Sequence, residues 1–441
     1  MLAAKNATAS GPVDRTDHFL AHPIRERPVH NHDPPIERAM LSAPSIDRPR
    51  TPAATAPPCR LCGARLHRTL LDLGLLPLAN RTHAPGATDD TPYRLHARMC
   101  DTCTLVQVDN VAPPEMVAAP FSSAPAADST RAGRYAETMR KRLRLTPDSL
   151  VIGVGLNAGT LLPPFQAAAI PVLAIEPTLT FNTETAMEVA VRHGRADLVV
   201  ANDVLQHAPD LFDFAASLAS ILRPNGILAL QVPYLLSLVQ KLRFDAFRHD
   251  AYTYLSLRVL EHVLRSVGLR VFDADSMPDH GGSVRVHACH AVAPYVVRPN
   301  LKTMRLAEHF AELDQRDLYT GFAERVAVAS QDVRDFLRTR RAAGRRVAAY
   351  GATTRGSTLL NCCGITTDEI AYVADPDPAK CGRSIPGCRI PIVTPEILMA
   401  DKPDDILILA CPNTATIAMD LTPLRQLGTP LWTAVPRIVR V

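Results

Sequence analysis

The 441-residue chain predicts an α/β protein in which a small four-cysteine domain precedes two doubly wound Rossmann-like domains. Three observations predict it. Two C-x2-C pairs, CRLC and CDTC, flank a turn-rich stretch; the runs SLVIGVG, PVLAIEP, ADLVVAND and GILALQVP each end in turn residues and are separated by helix-compatible segments; and the same alternation returns in RVAAYGA, IAYVADP, IPIVTPE, DDILILA and LWTAVP. Short apolar runs rich in Val, Ile and Leu, alternating with helical stretches, mark strands buried on both faces of a parallel sheet.

Roughly 100 to 200 residues per domain leave room for about three such units. Residues 1–57, rich in Pro, Ala, Arg and His without periodicity, predict a disordered leader. The cysteine pairs define a domain over 58–125. A helical pattern at Ala127 to Leu145 opens a second domain over 126–300. A long amphipathic stretch from Lys302 to Gly344 opens the third, over 301–441.

A hydrophobic content of 47% and charged content of 21% are those of an ordinary globular protein. With 48 Lys and Arg against 44 Asp and Glu, the chain lacks the concentrated basic face that nucleic-acid binding needs. The local run from Arg140 to Arg144 reads as a solvated helix face. No apolar run reaches the ~18 to 20 residues of a membrane span, and the first 30 residues lack the apolar core of a signal peptide. A cytoplasmic protein without membrane or nucleic-acid partners is expected.

In a reducing compartment, clustered cysteine pairs point to metal rather than to disulfides. Cys59, Cys62, Cys100 and Cys103 supply four thiolates from two tight turns. That set closes a tetrahedral shell around Zn2+ and leaves no position open for substrate, so the expected zinc is structural. Cys289, Cys362, Cys363, Cys381, Cys388 and Cys411 read as small apolar residues.

After SLVIGVG, the glycines Gly153, Gly155 and Gly159 form G-x-G-x3-G, a turn that lets a ligand approach the backbone where a helix begins. Glu176 ends the next strand, placed to accept both hydroxyls of a ribose. Lacking the G-x-x-G ending of dinucleotide sites, the loop favours S-adenosylmethionine over NAD. Pro163 and Pro164 are expected in the first turn of the following helix, where they would remove two N–H donors from its ligand-facing end.

From Cys59 to Val441 the chain resembles the sugar C-methyltransferases, which build branched deoxysugars on nucleotide carriers. The resemblance rests on CRLCG, LGLLPLAN, CDTCTLVQ, Phe121 to Ser123, AIEP, ADLVVANDVLQHAPDL, FDAFRHDAYTYLSL, HGGSVRV, VAAYGATTRGSTLLNCCGI and DPAKCGRSIPG. It implies a zinc domain, an S-adenosylmethionine domain and a C-terminal Rossmann-like domain, with a nucleotide-linked keto-sugar between them. It also implies Gly155, Asn157, Gly159, Glu176 and Asn202 at the cofactor, and acid-base work by His207 with His249 and Asp250. His280, before the paired glycines, is a candidate for substrate contact. Arg355, near a helix start in the third domain, is a candidate for an anionic ligand group.

The chain departs from that family in several places. The segment between Glu176 and Asp197 is too short for the two helices and strand the family has there, since one crossover alone needs about a dozen residues. Where the family has Y-H-E-H, this chain has Arg248, His249, Asp250 and Ala251, which replaces one Tyr and the second His. Ala118, Ala119 and Pro120 replace a tyrosine-bearing stretch. Two functions are therefore expected in rivalry: base-assisted C-methylation beside a ketone, or a degenerate relative that binds ligand, or was recruited elsewhere, without methyl transfer.

Overall fold

The computed structural model describes residues 56–87, 90–109, 129–155, 158–175, 181–278, 281–313, 318–409 and 414–441. The predicted leader, apart from its last two residues, lies outside them, as do residues 118–123, Asn157, Glu176, His280 and Cys411.

The first domain is an antiparallel sheet of β1 (Arg68–Leu76), β2 (Tyr93–Met99) and β3 (Val106–Val108). Leu66, Leu95, Met99 and Leu105 are fully buried behind it.

Next comes α1 (Ser129–Leu143), followed by β4 (Val151–Val154), the short helices α2 (Ala158–Leu161) and α3 (Pro163–Ala167), and β5 (Val172–Ile175). The chain continues through α4 (Thr183–His193), β6 (Ala196–Asn202), α5 (Leu211–Ser220), β7 (Leu222–Pro233) and α6 (Leu235–Gln240). After β8 (Thr253–Tyr254) and α7 (Leu257–Ser266) the unit closes with β9 (Leu269–Met277) and β10 (Ser283–His290). The sheet order is β5-β4-β6-β7-β10-β9, parallel from β5 to β7 and antiparallel through β10 and β9. Among the described residues it ends at β5, and one helix, α4, precedes β6.

The long helical stretch resolves into α8 (Pro299–Phe310) and α9 (Phe322–Ala342). They lead into β11 (Val347–Tyr350), α10 (Thr354–Cys362), β12 (Val373–Ala374), β13 (Ile392–Val393) and α11 (Pro395–Asp401). Then follow β14 (Asp405–Ile408), α12 (Thr414–Asp420), α13 (Thr422–Gln426), β15 (Leu431–Thr433) and β16 (Val439–Arg440). The order β13-β12-β11-β14-β15-β16 is parallel up to β15, with β16 antiparallel at the edge.

Two seams join the sheets. β8, from the second domain, adds to the cysteine domain through Val106↔Tyr254 and Gln107↔Thr253. On the other side, His83 exchanges backbone hydrogen bonds with Ser384, and Arg389 pairs with Asp90 at 2.6 Å. One core runs through all three sheets, from Leu61 through Leu230 to Val435.

Two local expectations are corrected. Pro163 and Pro164 do not occupy the ligand-facing helix end: the helix after the loop is α2, and the prolines start α3 one turn later, where missing N–H groups are tolerated. The basic run at Arg140 to Arg144 is not wholly solvated either, because Arg142 turns inward to Asp273 at 2.9 Å.

Candidate functional site

The four cysteines converge from two similar turns. Gly63, at φ 73°, lets its N–H return to the Cys59 carbonyl at 2.9 Å, and Thr104, at φ 64°, does the same to Cys100 at 3.0 Å. The sulfurs lie within 4.8 Å of one another, with Cys59–Cys103 and Cys62–Cys100 each at 3.5 Å. A disulfide needs about 2.05 Å, whereas zinc–sulfur bonds of about 2.3 Å in a tetrahedron put sulfurs roughly 3.8 Å apart. The set therefore fits zinc, and four thiolates complete its shell.

At the loop after β4, three glycines stand for three reasons. A Cβ on Gly153 would lie 2.9 Å from that of Ala158, so strand and helix pack through it. Gly155, at φ +118°, could carry no side chain without meeting Val204 at 2.6 Å. Gly159 has nothing within 4 Å, open space in the first turn of α2. Beside the loop, Asn202 at the end of β6 is 7% exposed, and its Oδ1 has no hydrogen-bond partner among the described residues. An open glycine turn beside an unsatisfied buried amide fits a polar cofactor.

Between this sheet and the C-terminal one lies a charged cluster. The His207 ring nitrogen Nδ1 makes a short hydrogen bond to the backbone carbonyl of Asp250; a carbonyl only accepts, so Nδ1 carries the proton and Nε2 the lone pair. Burial lowers the His207 pKa, with Arg248 pushing the same way and Asp250 opposing. Arg248 pairs with the Asp250 carboxylate at 3.1 Å and donates to the Thr354 hydroxyl of α10 at 2.6 Å. Arg355 lies in the same field as Asp245, Arg243, Arg248 and Asp203, and burial brings its pKa down to about 10.

The structure thus brings His207 and Asp250 together but turns His249 elsewhere. His249 is 6% exposed, and its Nε2 donates to the Tyr93 carbonyl of β2 at 3.0 Å. Sequence reasoning missed Arg248 as a bridge between the second and third domains, since its partner Thr354 is far along the chain.

Matches to family models follow the three sheets. A zinc binding domain covers residues 59–117, a methyltransferase domain 128–274 and a C-methyltransferase C-terminal domain 278–436. The C-methyltransferase NovU of Streptomyces niveus is 32% identical over 377 residues, 80% of this chain and 89% of that protein. The chain belongs to the C-methyltransferase family. As such it is an S-adenosylmethionine-dependent methyltransferase with zinc in its four-cysteine domain. Among solved structures, the 1,6-didemethyltoxoflavin-N1-methyltransferase of Burkholderia thailandensis, with bound 1,6-didemethyltoxoflavin and S-adenosylhomocysteine, is 21% identical. It covers 42% of this chain and 94% of its own, at a TM-score of 0.30. The magnesium protoporphyrin IX methyltransferase of Synechocystis, also with bound S-adenosylhomocysteine, is 18% identical over 37% of this chain and 83% of its own, at 0.27. No helix among the described residues is long and apolar enough to cross a membrane.

Proposed function

We propose that this C-methyltransferase methylates the carbon beside the ketone of a nucleotide-linked keto-sugar or a related activated ketone, with His207 as the base. The observation that carries the reading is the state of His207: Nδ1 is tied to Asp250, Nε2 holds a lone pair, and burial keeps the ring neutral near pH 7. S-adenosylmethionine supplies an electrophilic methyl group when bound. Gly155, Asn157, Gly159, Glu176 and Asn202 are its proposed binding residues. His207 takes the proton from the carbon beside the ketone and returns it to solvent, and bound S-adenosylmethionine would give that carbon its methyl group, leaving as S-adenosylhomocysteine. Arg243 and Arg248 are paired with Asp245 and Asp250, and Arg355 beside them is the proposed contact for the anionic group of such a substrate. Asp250 and His249 act by position, one holding the His207 tautomer and the other tying the segment to β2.

A second reading has its own observation. With His249 tied to Tyr93, Asp250 paired to Arg248 and Ala251 in place of a family histidine, His207 is left as the one base candidate of that segment, as a protein recruited away from methyl transfer would also show. Incubation with S-adenosylmethionine and a nucleotide-linked keto-sugar, read by mass spectrometry, separates the two. A methylated product that falls by a factor of ~10² or more in His207→Gln supports the first; unmethylated substrate with intact ligand binding supports the second.

A further inference from the structure

The face of the central sheet under α1 carries a polar row across four strands, and the proposed reaction uses one end of it. Register aligns Asn202 of β6 with Gln231 of β7, Gln231 with Arg285 of β10, and Arg285 with Asp275 of β9. Directly paired residues share a face. The row begins beside Gly155, at the rim where the parallel strands end.

Arg285, from the HGGSVRV stretch, is 8% exposed. Its Nη2 donates to Gln231 Oε1 at 2.6 Å, and its guanidinium lies 4.4 Å from the ring centroid of Tyr135 on α1. Both partners are neutral. Nε has no hydrogen-bond partner, and among the described residues no carboxylate oxygen lies within 4.0 Å of the guanidinium. The facing acid, Asp275, accepts from Asn300 at 3.0 Å, and Asp273 is taken by Arg142 at 2.9 Å. A buried cation with no carboxylate in contact is costly to keep.

Asp273 and Asp275 share the pocket with Arg142 and Arg285, and the other polar neighbours are neutral donors. The Tyr135 hydroxyl is buried without a partner, and burial pushes its pKa up to about 12, so it stays a donor. His287, 3% exposed with neither ring nitrogen partnered, is pushed down to about 3 by burial and then by Arg142 and Arg285, so it stays neutral. Asp273, Asp275 and His287 approach within 4.8 Å, as metal ligands do, but two guanidiniums in the same pocket oppose a cation.

We infer that Arg285, held by Gln231 and assisted by the Tyr135 hydroxyl, is a carboxylate seat. A planar guanidinium with an unused edge matches a carboxylate's two oxygens. The carboxylate has two possible sources in the reaction: the amino-acid end of the methyl donor, which reaches along the row from the Gly155 loop, or an acid group on the methyl acceptor. The first source rests on the cofactor site proposed above.

Calorimetry on the full chain tests this with three probes: S-adenosylhomocysteine, 5′-methylthioadenosine, which lacks the amino-acid end, and malonate. If the seat takes the cofactor's carboxylate, Arg285→Gln weakens S-adenosylhomocysteine about 10- to 100-fold, the range of a charge-assisted hydrogen bond, and leaves 5′-methylthioadenosine within about twofold. If it takes the acceptor's, S-adenosylhomocysteine is unchanged, and malonate binds the saturated protein but not the variant. Tyr135→Phe should weaken the same ligand about 3- to 10-fold, which keeps the test open should Arg285→Gln fail to fold. Unchanged affinity for both S-adenosylhomocysteine and malonate in the folded variants overturns the seat. A native protein that binds neither nucleoside overturns the cofactor reading instead, and malonate alone then decides the seat.

Discussion

The glycine loop separates a conformational glycine from a ligand-facing one, and two alanine substitutions pull them apart. At Gly155, φ is +118° and a Cβ would stand 2.6 Å from Val204 and 3.3 Å from the Asn202 carbonyl oxygen. Left-handed strain of about 1 to 2 kcal/mol adds to overpacking of about 1 to 3, so Gly155→Ala should destabilise by roughly 2 to 5 kcal/mol. At about 2 to 4 °C per kcal/mol for a domain of this size, the melting temperature falls by about 4 to 20 °C. At Gly159 nothing lies within 4 Å of the added Cβ, and alanine favours helix by up to about 1 kcal/mol, so Gly159→Ala should melt at or slightly above the native temperature. If the cofactor fills that space, the methyl group costs about 1 to 3 kcal/mol of binding, or roughly 5- to 150-fold in affinity. Scanning fluorimetry and titration with S-adenosylhomocysteine measure both. Native affinity in Gly159→Ala would refute the placement of the cofactor over α2, and a native melting temperature in Gly155→Ala would refute the strain argument.

Three further outcomes are expected. Stability should fall as pH drops below about 6.5: burial lowers the pKa of His207, His249 and His287, so the unfolded chain binds more protons there. His287 alone, at about 3 when folded, contributes about 3 kcal/mol of loss at pH 4.5, and a melting curve of His287→Asn as pH-sensitive as the native one would contradict it. Because the sheet ends at β5, an adenine loses ~60 to 100 Å2 of apolar contact, about 1.5 to 2.5 kcal/mol; cofactor affinity should be no better than about tens of micromolar, and Glu176→Ala should abolish it, which submicromolar titration would disprove. Cys100→Ser should release zinc, expose the first domain to proteolysis and lower methyl transfer together; full activity in a zinc-free variant would break that link.

The parallel strands of both sheets were legible because each holds an apolar run followed by turn residues, and because the crossovers other than β12 to β13 are local helices. The cysteine set was legible for a similar reason, since each C-x2-C is one turn. Truncation beside β5 followed from chain length alone. What escaped depended on antiparallel register and distant partners. Arg285, Asp275 and Gln231 become neighbours only when β10 lies between β7 and β9, and a bulge between His287 and Ala288 shifts the pairing partway along. Single residues between charged neighbours, such as Arg142, looked solvated because the acid that holds it is on β9. β8 is a two-residue strand, too short for any periodicity, yet it crosses a domain boundary.

That short strand explains how a zinc with no open coordination position bears on the chemistry. Residues 249–254 are gripped by the cysteine domain along their length: His249 by the Tyr93 carbonyl, Tyr252 by the Val108 amide at 3.0 Å, and Thr253 and Tyr254 by β3. On the opposite side the Tyr252 amide donates to the Gln206 carbonyl at 2.8 Å, and Arg60, beside Cys59, stacks 4.8 Å from the Tyr252 ring while reaching the Pro209 carbonyl at 2.9 Å. Within this clamp sits Asp250, whose carbonyl fixes the tautomer of His207. The grip depends on β3, and β3 follows directly from the Cys100–Cys103 knuckle. Without the metal, the cysteines would take up protons and the four bonds that join the two turns would be lost, so the strand that places Asp250 would lose its anchor. Zinc therefore acts on the proposed base through position alone, by holding the peptide that decides which nitrogen of His207 carries the proton.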